Sequence, residues 1–170
     1  MTTLSRIREQ AIRPALALLP ARMSGQQAEV LLLAIGLQES LLIHQRQIRG
    51  PARGLWQFEQ GGGTAGVLSH VQTRDLAAQV CRARGVNPTP AAVQEALAGE
   101  DDALDAALAR LLMWTDRPPL PALQDVEGGW QLYLRTWRPG AYTRGTPAQR
   151  AELRAKWGRN YAAALREVLP

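Results

Sequence analysis

Cysteine is almost missing from this chain of 170 residues. Cys81 stands alone, so no internal disulfide can form and no set of thiolates can hold zinc. Histidine is nearly as scarce: His44 and His70 are too few for a histidine-rich metal centre, and no metal or cofactor is expected. Lysine occurs once, at Lys156, and phenylalanine once, at Phe58. β-Branched runs are absent, as are the Asn-Gly and Asp-Gly pairs that mark tight hairpins, which argues against a sheet. The longest apolar stretch, Val30 to Leu37, falls far short of the roughly 20 residues a membrane-spanning helix requires. No membrane span is expected, and the fold must hold by packing alone.

What is present is a globular composition, with 46% hydrophobic and 21% charged residues and a mean hydropathy of -0.21. Residues 1–170 suit one domain with one core. The net charge is +5 and the pI about 10.3, carried almost wholly by arginine. Such charge suits a polyanionic partner, be it nucleic acid, a membrane surface or an anionic cell-wall polymer, or else reflects coding bias alone. The arginines spread from Arg6 to Arg166 and cluster on no recognition helix, which speaks against nucleic acid. The first twenty residues mix Arg6, Arg8, Glu9 and Arg13 without a clean apolar block, so no secretory signal is expected.

Helical punctuation recurs along the chain. Leu4 to Leu19 is apolar at helical spacing, with a kink expected at Pro14. Ser24 and Gln27 form a capping-box pattern ahead of a helix that is apolar at nearly every position from Ala28 to Leu37, and is therefore expected to be the buried central helix. Glycines then break the chain at 50, 54 and 61–63. Helices are expected over 64–71, 73–84, 90–97, 101–114, 126–137 and 147–168, with a loop at 116–125 and a turn at 138–145. The expectation is an all-α domain of seven or eight helices.

Glu39 is the most informative residue. It ends the stripe Ala28, Leu32, Ile35 of the apolar helix, where lost hydration raises a carboxyl pKa. A carboxyl kept protonated near neutrality can donate a proton to a leaving-group oxygen. The plain alternative is a helix-ending glutamate that turns to solvent or pairs with Arg46 or Arg53.

After Glu39-Ser40 and about a dozen residues comes Gly54-Leu55-Trp56-Gln57-Phe58. This pair of segments resembles the signature of lytic transglycosylases and goose-type lysozymes: a Glu-Ser at the end of a buried helix, then a Gly-Leu-Met-Gln-type segment. Trp56 stands where methionine is usual, and the match covers about a fifth of the chain, residues 28 to 60. The resemblance implies a lysozyme-like fold that cleaves the β-1,4 bond between N-acetylmuramic acid and N-acetylglucosamine in peptidoglycan, with Glu39 as acid and then base. It implies that Ser40 positions the catalytic group or the muramyl substituent and that Gln57 lines the sugar cleft. On physical grounds Gly54 permits a sharp turn near the acid, and the Gln57 amide can both donate to and accept from sugar hydroxyls.

The Ala-Tyr-Asn-Ala-Gly segment usual later in transglycosylases is absent, and residues 112–116 stand nearest to its place. A two-carboxylate hydrolase needs a second acid, for which Glu59, Asp116 and Glu127 are candidates. A transglycosylase, in which the sugar 6-hydroxyl displaces the bond, needs none, and this favours lyase chemistry. Among five tryptophans, Trp56 and then Trp114 are the expected sugar-stacking residues. Trp130, Tyr133 and Trp137 share a helix face and are read as core. His44 is read as a structural histidine, with a role beside the acid as the alternative; His70 and Cys81 are read as packing residues, and Gly61 to Gly63 as a connector or rim. The partners expected are peptidoglycan glycan strands and, for a phage- or prophage-encoded protein, other virion proteins. Synthesis in the bacterial cytoplasm and action at the cell wall, as a virion or lysis component, would fit. The competing functional reading is a non-catalytic virion protein that keeps a lysozyme-like scaffold.

Overall fold

The structure is a computed structural model that describes residues 2–169. Its regular structure is entirely helical; among the described residues the only β-type pairings are isolated bridges of Arg53 with Arg46 and with Phe58. Helices α1 (Thr3–Ile7) and α2 (Arg13–Ala17) run together through a π-helical turn at Arg8–Ile12. Pro14 has no N–H to donate, and at this turn the Arg13 N–H reaches back to the Arg8 carbonyl. The remaining helices are α3 (Gln26–Ser40), α4 (Ala65–Ser69), α5 (Arg74–Ala83), α6 (Pro90–Ala98), α7 (Asp102–Trp114), α8 (Val126–Trp137), α9 (Gly140–Thr143) and α10 (Pro147–Val168).

Several ends follow the expected chemistry. Thr89, Asp101 and Asp125 accept from backbone N–H groups at the starts of α6, α7 and α8, and Thr146 with Gln149 makes a full capping box on α10. Three local expectations need correction. Gly61 to Gly63, read as a connector or rim, lie in a π-helical turn at Gln60–Thr64 that leads into α4. The Ser24–Gln27 capping box does not form; Gly25 caps α3, with no side-chain hydrogen bond. The segment taken for a turn at 138–145 contains the short helix α9.

Helix α3 is apolar all round because it is enclosed all round, with Val30 to Ile35 at most 1% exposed. Helix α7 is embedded to the same degree. Its alanines at 103, 106, 107 and 109 keep it slim enough for neighbours to close over every side. Helix α10 packs along α3, and Arg8 clamps the N-terminal segment to both through an ion pair with Glu29 and a 2.9 Å hydrogen bond to the Glu167 carbonyl. Between α8 and α10 lies an aromatic column of Trp130, Tyr133, Trp157 and Tyr161, in which Tyr133 and Trp157 stack at 5.4 Å.

What places the end of α3 is a glycine within it. Leu41 and Leu42 take left-handed backbone conformations, so the chain doubles back and Leu42 is fully buried against Gly36. A methyl group on Gly36 would lie 2.2 Å from Leu42 Cδ2 and 3.3 Å from the Trp56 indole nitrogen. Gly36→Ala is therefore expected to lower stability by about 1–3 kcal/mol through overpacking, despite alanine's better helix propensity. Denaturant unfolding of the two proteins measures this; equal or greater stability in the variant would show that Leu42 can move aside.

Candidate active site

The doubling back at Leu41 leaves Glu39 facing a cleft of about 770 Å³. Gln38 and Glu39 from α3, Gln57 to Glu59, the glycines at 62, 63 and 66, Leu112 of α7 with Thr115 just past its end, and the 135–141 segment form its walls. Glu39 is partly accessible from this cleft, yet protein surrounds most of it. Burial pushes its carboxyl up from 4.5 to about 7, and two smaller influences act the other way: a hydrogen bond from Tyr133 and the positive charge of Lys156. The Tyr133 hydroxyl donates to Glu39 Oε1 at 2.6 Å. Among the described residues no arginine pairs with Glu39. Arg53, one of the expected partners, spends its guanidinium on the carbonyls of Gly50 and Ala52, and Arg46 is exposed.

The Glu39-Ser40 and Gly54–Phe58 segments are bound together, though not in the way the expected ligand roles require. The Ser40 side chain is buried; its hydroxyl lies 2.6 Å from the Leu55 carbonyl and accepts from the Leu42 N–H at 3.1 Å. Ser40 thus ties the helix end to the second segment and does not line the cleft. Gly54 is also away from the cleft. At φ +78° it occupies left-handed space, and a methyl on it would lie 2.2 Å from Asp105 Oδ2. Asp105, fully enclosed within α7, accepts from the backbone N–H of Trp56 at 3.3 Å, and burial raises its carboxyl well above the ordinary aspartate value.

Trp56 is not a sugar platform. It is completely buried, with its indole N–H donating to the Leu32 carbonyl at 2.9 Å. An indole offers more apolar area than a thioether and brings a donor, and α3 supplies both the packing and the acceptor. Trp114 is half-buried outside the cleft, with the guanidinium groups of Arg22 and Arg110 over its ring. Gln57 does line the cleft, but its amide nitrogen already donates to the carbonyls of Gly54 and His44 at 2.7 and 3.1 Å. That leaves the Gln57 carbonyl oxygen free to accept.

Residues read as packing supply the missing walls. Trp130 is core, but one turn on Tyr133 reaches Glu39, and Trp137 is half-exposed in the cleft wall. The Trp137 indole N–H donates to the Trp56 carbonyl at 3.0 Å, and its ring meets Phe58 edge-on at 6.2 Å. An indole fixed this way presents an apolar face suited to a sugar ring. His70 also lines the cleft, with Nδ1 accepting from the Gln72 N–H, whereas His44 is exposed and outside it. The i, i+3, i+7 spacing identified the α8 face correctly but could not show that the face runs out of the core at Trp137. Of the candidate second carboxylates only Glu59 is in the cleft wall; Asp116 is paired with Arg135 at 2.8 Å and Glu127 with Arg154 at 2.9 Å.

We find no family model that matches the chain, and no curated protein or solved structure that matches it.

The Glu39 environment predicts a pH effect on stability. Unfolded, the carboxyl ionises near 4.5; folded, it holds its proton to about 7, so between these values the native state binds more protons and stability falls as pH rises. The full effect is about 3 kcal/mol. Glu39→Gln is expected to weaken this decline and to be more stable than the wild type at pH 8, with the slope due to Asp105 persisting. Thermal unfolding from pH 4 to pH 8 measures it, and parallel curves for the two proteins would show that Glu39 ionises normally.

Proposed function

We propose that this all-helical domain has a lysozyme-like fold and cleaves the β-1,4 bond between N-acetylmuramic acid and N-acetylglucosamine in peptidoglycan as a lytic transglycosylase. The observation that carries the proposal is Glu39: a carboxyl at the end of an embedded helix, open to a cleft, bonded to one tyrosine, free of arginine and raised to about 7.

Protonated Glu39 donates to the glycosidic oxygen as the bond to the muramyl C1 breaks. The resulting carboxylate is stabilised where it forms by the Tyr133 hydroxyl and the nearby Lys156 charge, the same two influences that oppose burial in the resting state. It then takes the proton of the muramyl 6-hydroxyl, whose oxygen closes on C1 to give a 1,6-anhydro product. Trp137 and Phe58 offer the apolar wall against which a sugar ring can lie, and the Gln57 carbonyl an acceptor for a hydroxyl or N–H. The transglycosylase route is preferred over hydrolysis because a single acid suffices for internal displacement, and of the candidate second carboxylates Asp116 and Glu127 are tied to arginines; Glu59, in the cleft wall, is the one a hydrolytic route would use.

Digestion of purified peptidoglycan, with products separated by mass spectrometry, tests this. The wild type should release anhydromuramyl products, and Glu39→Gln should be slower by about 10²–10⁴-fold while still folded. Products with free reducing ends would make the protein a hydrolase; no soluble product from either protein would favour a non-catalytic scaffold.

The wild-type rate should decline as pH rises through about 7, as the acid loses its proton. Tyr133→Phe removes the donor that favours the carboxylate, so that decline should move to higher pH. An unmoved pH profile would exclude Tyr133 from setting the acid.

A further inference from the structure

A second depression, of about 680 Å³, opens beside the Glu39 cleft between α9 and the first half of α10. The two share Gly140, Ala141 and Leu153, so they adjoin along these residues. Arg144, Lys156 and Arg159 line it, against Glu152 as the only carboxylate. Among the described residues none of these four is in an ion pair. The Arg144 guanidinium lies against this border: a methyl on Gly140 would come within 2.4 Å of its Nη2. At the other side Lys156 Nζ donates to the Gln38 carbonyl at 2.7 Å, one residue from the acid. Lys156 and Arg159, three residues apart on α10, repel one another along the same wall of the groove, and an anion bound beside them would relieve that repulsion.

The sugars of the glycan are neutral apart from the lactyl group. Negative charge in the repeating unit resides on carboxylates of the peptide that the lactyl group carries, a substituent that leaves the ring sideways. A ring held against Trp137 would lie beside Gly140 and Ala141, which border both the cleft and the basic groove and leave room for such a substituent to cross. We propose that this groove binds the carboxylates of the muramyl peptide, so that the protein selects peptide-bearing glycan over bare glycan. The inference rests on reading the Glu39 cleft as a glycan site. A teichoic-type polyphosphate is the other anion of a cell wall, but where it is linked to a muramyl ring it blocks the 6-oxygen that the internal displacement requires free.

Two measurements separate this inference from the reading beneath it. The first compares kcat/KM on intact peptidoglycan strands with that on strands stripped by an amidase, which keep only the lactyl carboxylate. The wild type should prefer peptide-bearing strands about tenfold. Arg144→Gln/Arg159→Gln, both exposed positions outside the Glu39 cleft, should lose that preference while cleaving stripped strands at the wild-type rate. Cleavage with no preference, or a preference kept by the double variant, overturns the groove and leaves the glycan reading standing.

The second measurement needs no turnover. Titration calorimetry on Glu39→Gln uses a GlcNAc–MurNAc-peptide, the same compound with its peptide carboxylates amidated, and poly(glycerol phosphate). Binding of the first, weakened about tenfold by amidation or by adding the two arginine substitutions, supports the groove even if no cleavage is ever seen. Binding of the polyphosphate alone, or of none of the three, overturns it.

Discussion

Everything near the cleft depends on a conflict at one helix end. Helix α3 is enclosed on all sides as far as Ile35, and four residues later it carries a carboxylic acid. Glu39 opens onto the cleft, and among the described residues the protein offers it one hydroxyl, the lone lysine at a distance and no arginine. Desolvation therefore wins over the favourable influences. A closer cation would have reversed the balance and left a structural ion pair with no proton to give.

That balance requires the helix to stop at a fixed place, and buried main-chain chemistry provides the stop. Gly36 makes room for Leu42, the reversal at Leu41 places Glu39 at the cleft, and Ser40 spans from the helix end to the Leu55 carbonyl. From below, Asp105 receives the N–H of Trp56 in space that only glycine at position 54 leaves open. The Trp56 carbonyl then receives the Trp137 indole. Acid, turn and aromatic wall are thus joined by hydrogen bonds whose partners are mostly backbone atoms, each costly to leave unpaired in the interior.

Much of the helical framework was legible because its signals are local. The apolar run before Glu39, the caps at Thr89, Asp101 and Thr146, and the proline-rich loop after Trp114 mark their elements without help from the rest of the chain. Helix α7 was harder to read as embedded, because Asp102, Asp105 and Arg110 give it the look of a surface helix, yet Asp105 and Arg110 are both buried. The site was half legible. Glu39 and Gln57 reach the cleft as expected, but motif position alone could not show whether Ser40, Gly54 and Trp56 hold the frame or face the void. Tyr133 lies 94 residues beyond Glu39, and nothing local announces that its hydroxyl ends there. Trp137 was misread for a related reason: a helical stripe has one period along its length but crosses from core to surface wherever the neighbouring helix ends.

The wiring through main-chain atoms carries a consequence for how such a chain can drift. A carbonyl at position 55 or an N–H at position 56 is supplied by almost any amino acid, so the connections that aim Glu39 are indifferent to which side chains hang beside them. An indole at position 56 could take up a core position without disturbing a single one of these links. Spelling is free there; the glycines at 36 and 54, the serine at 40, the aspartate at 105, the tyrosine at 133 and the indole at 137 are bound by geometry. A lineage built on this plan could rewrite most of its letters and keep the sentence.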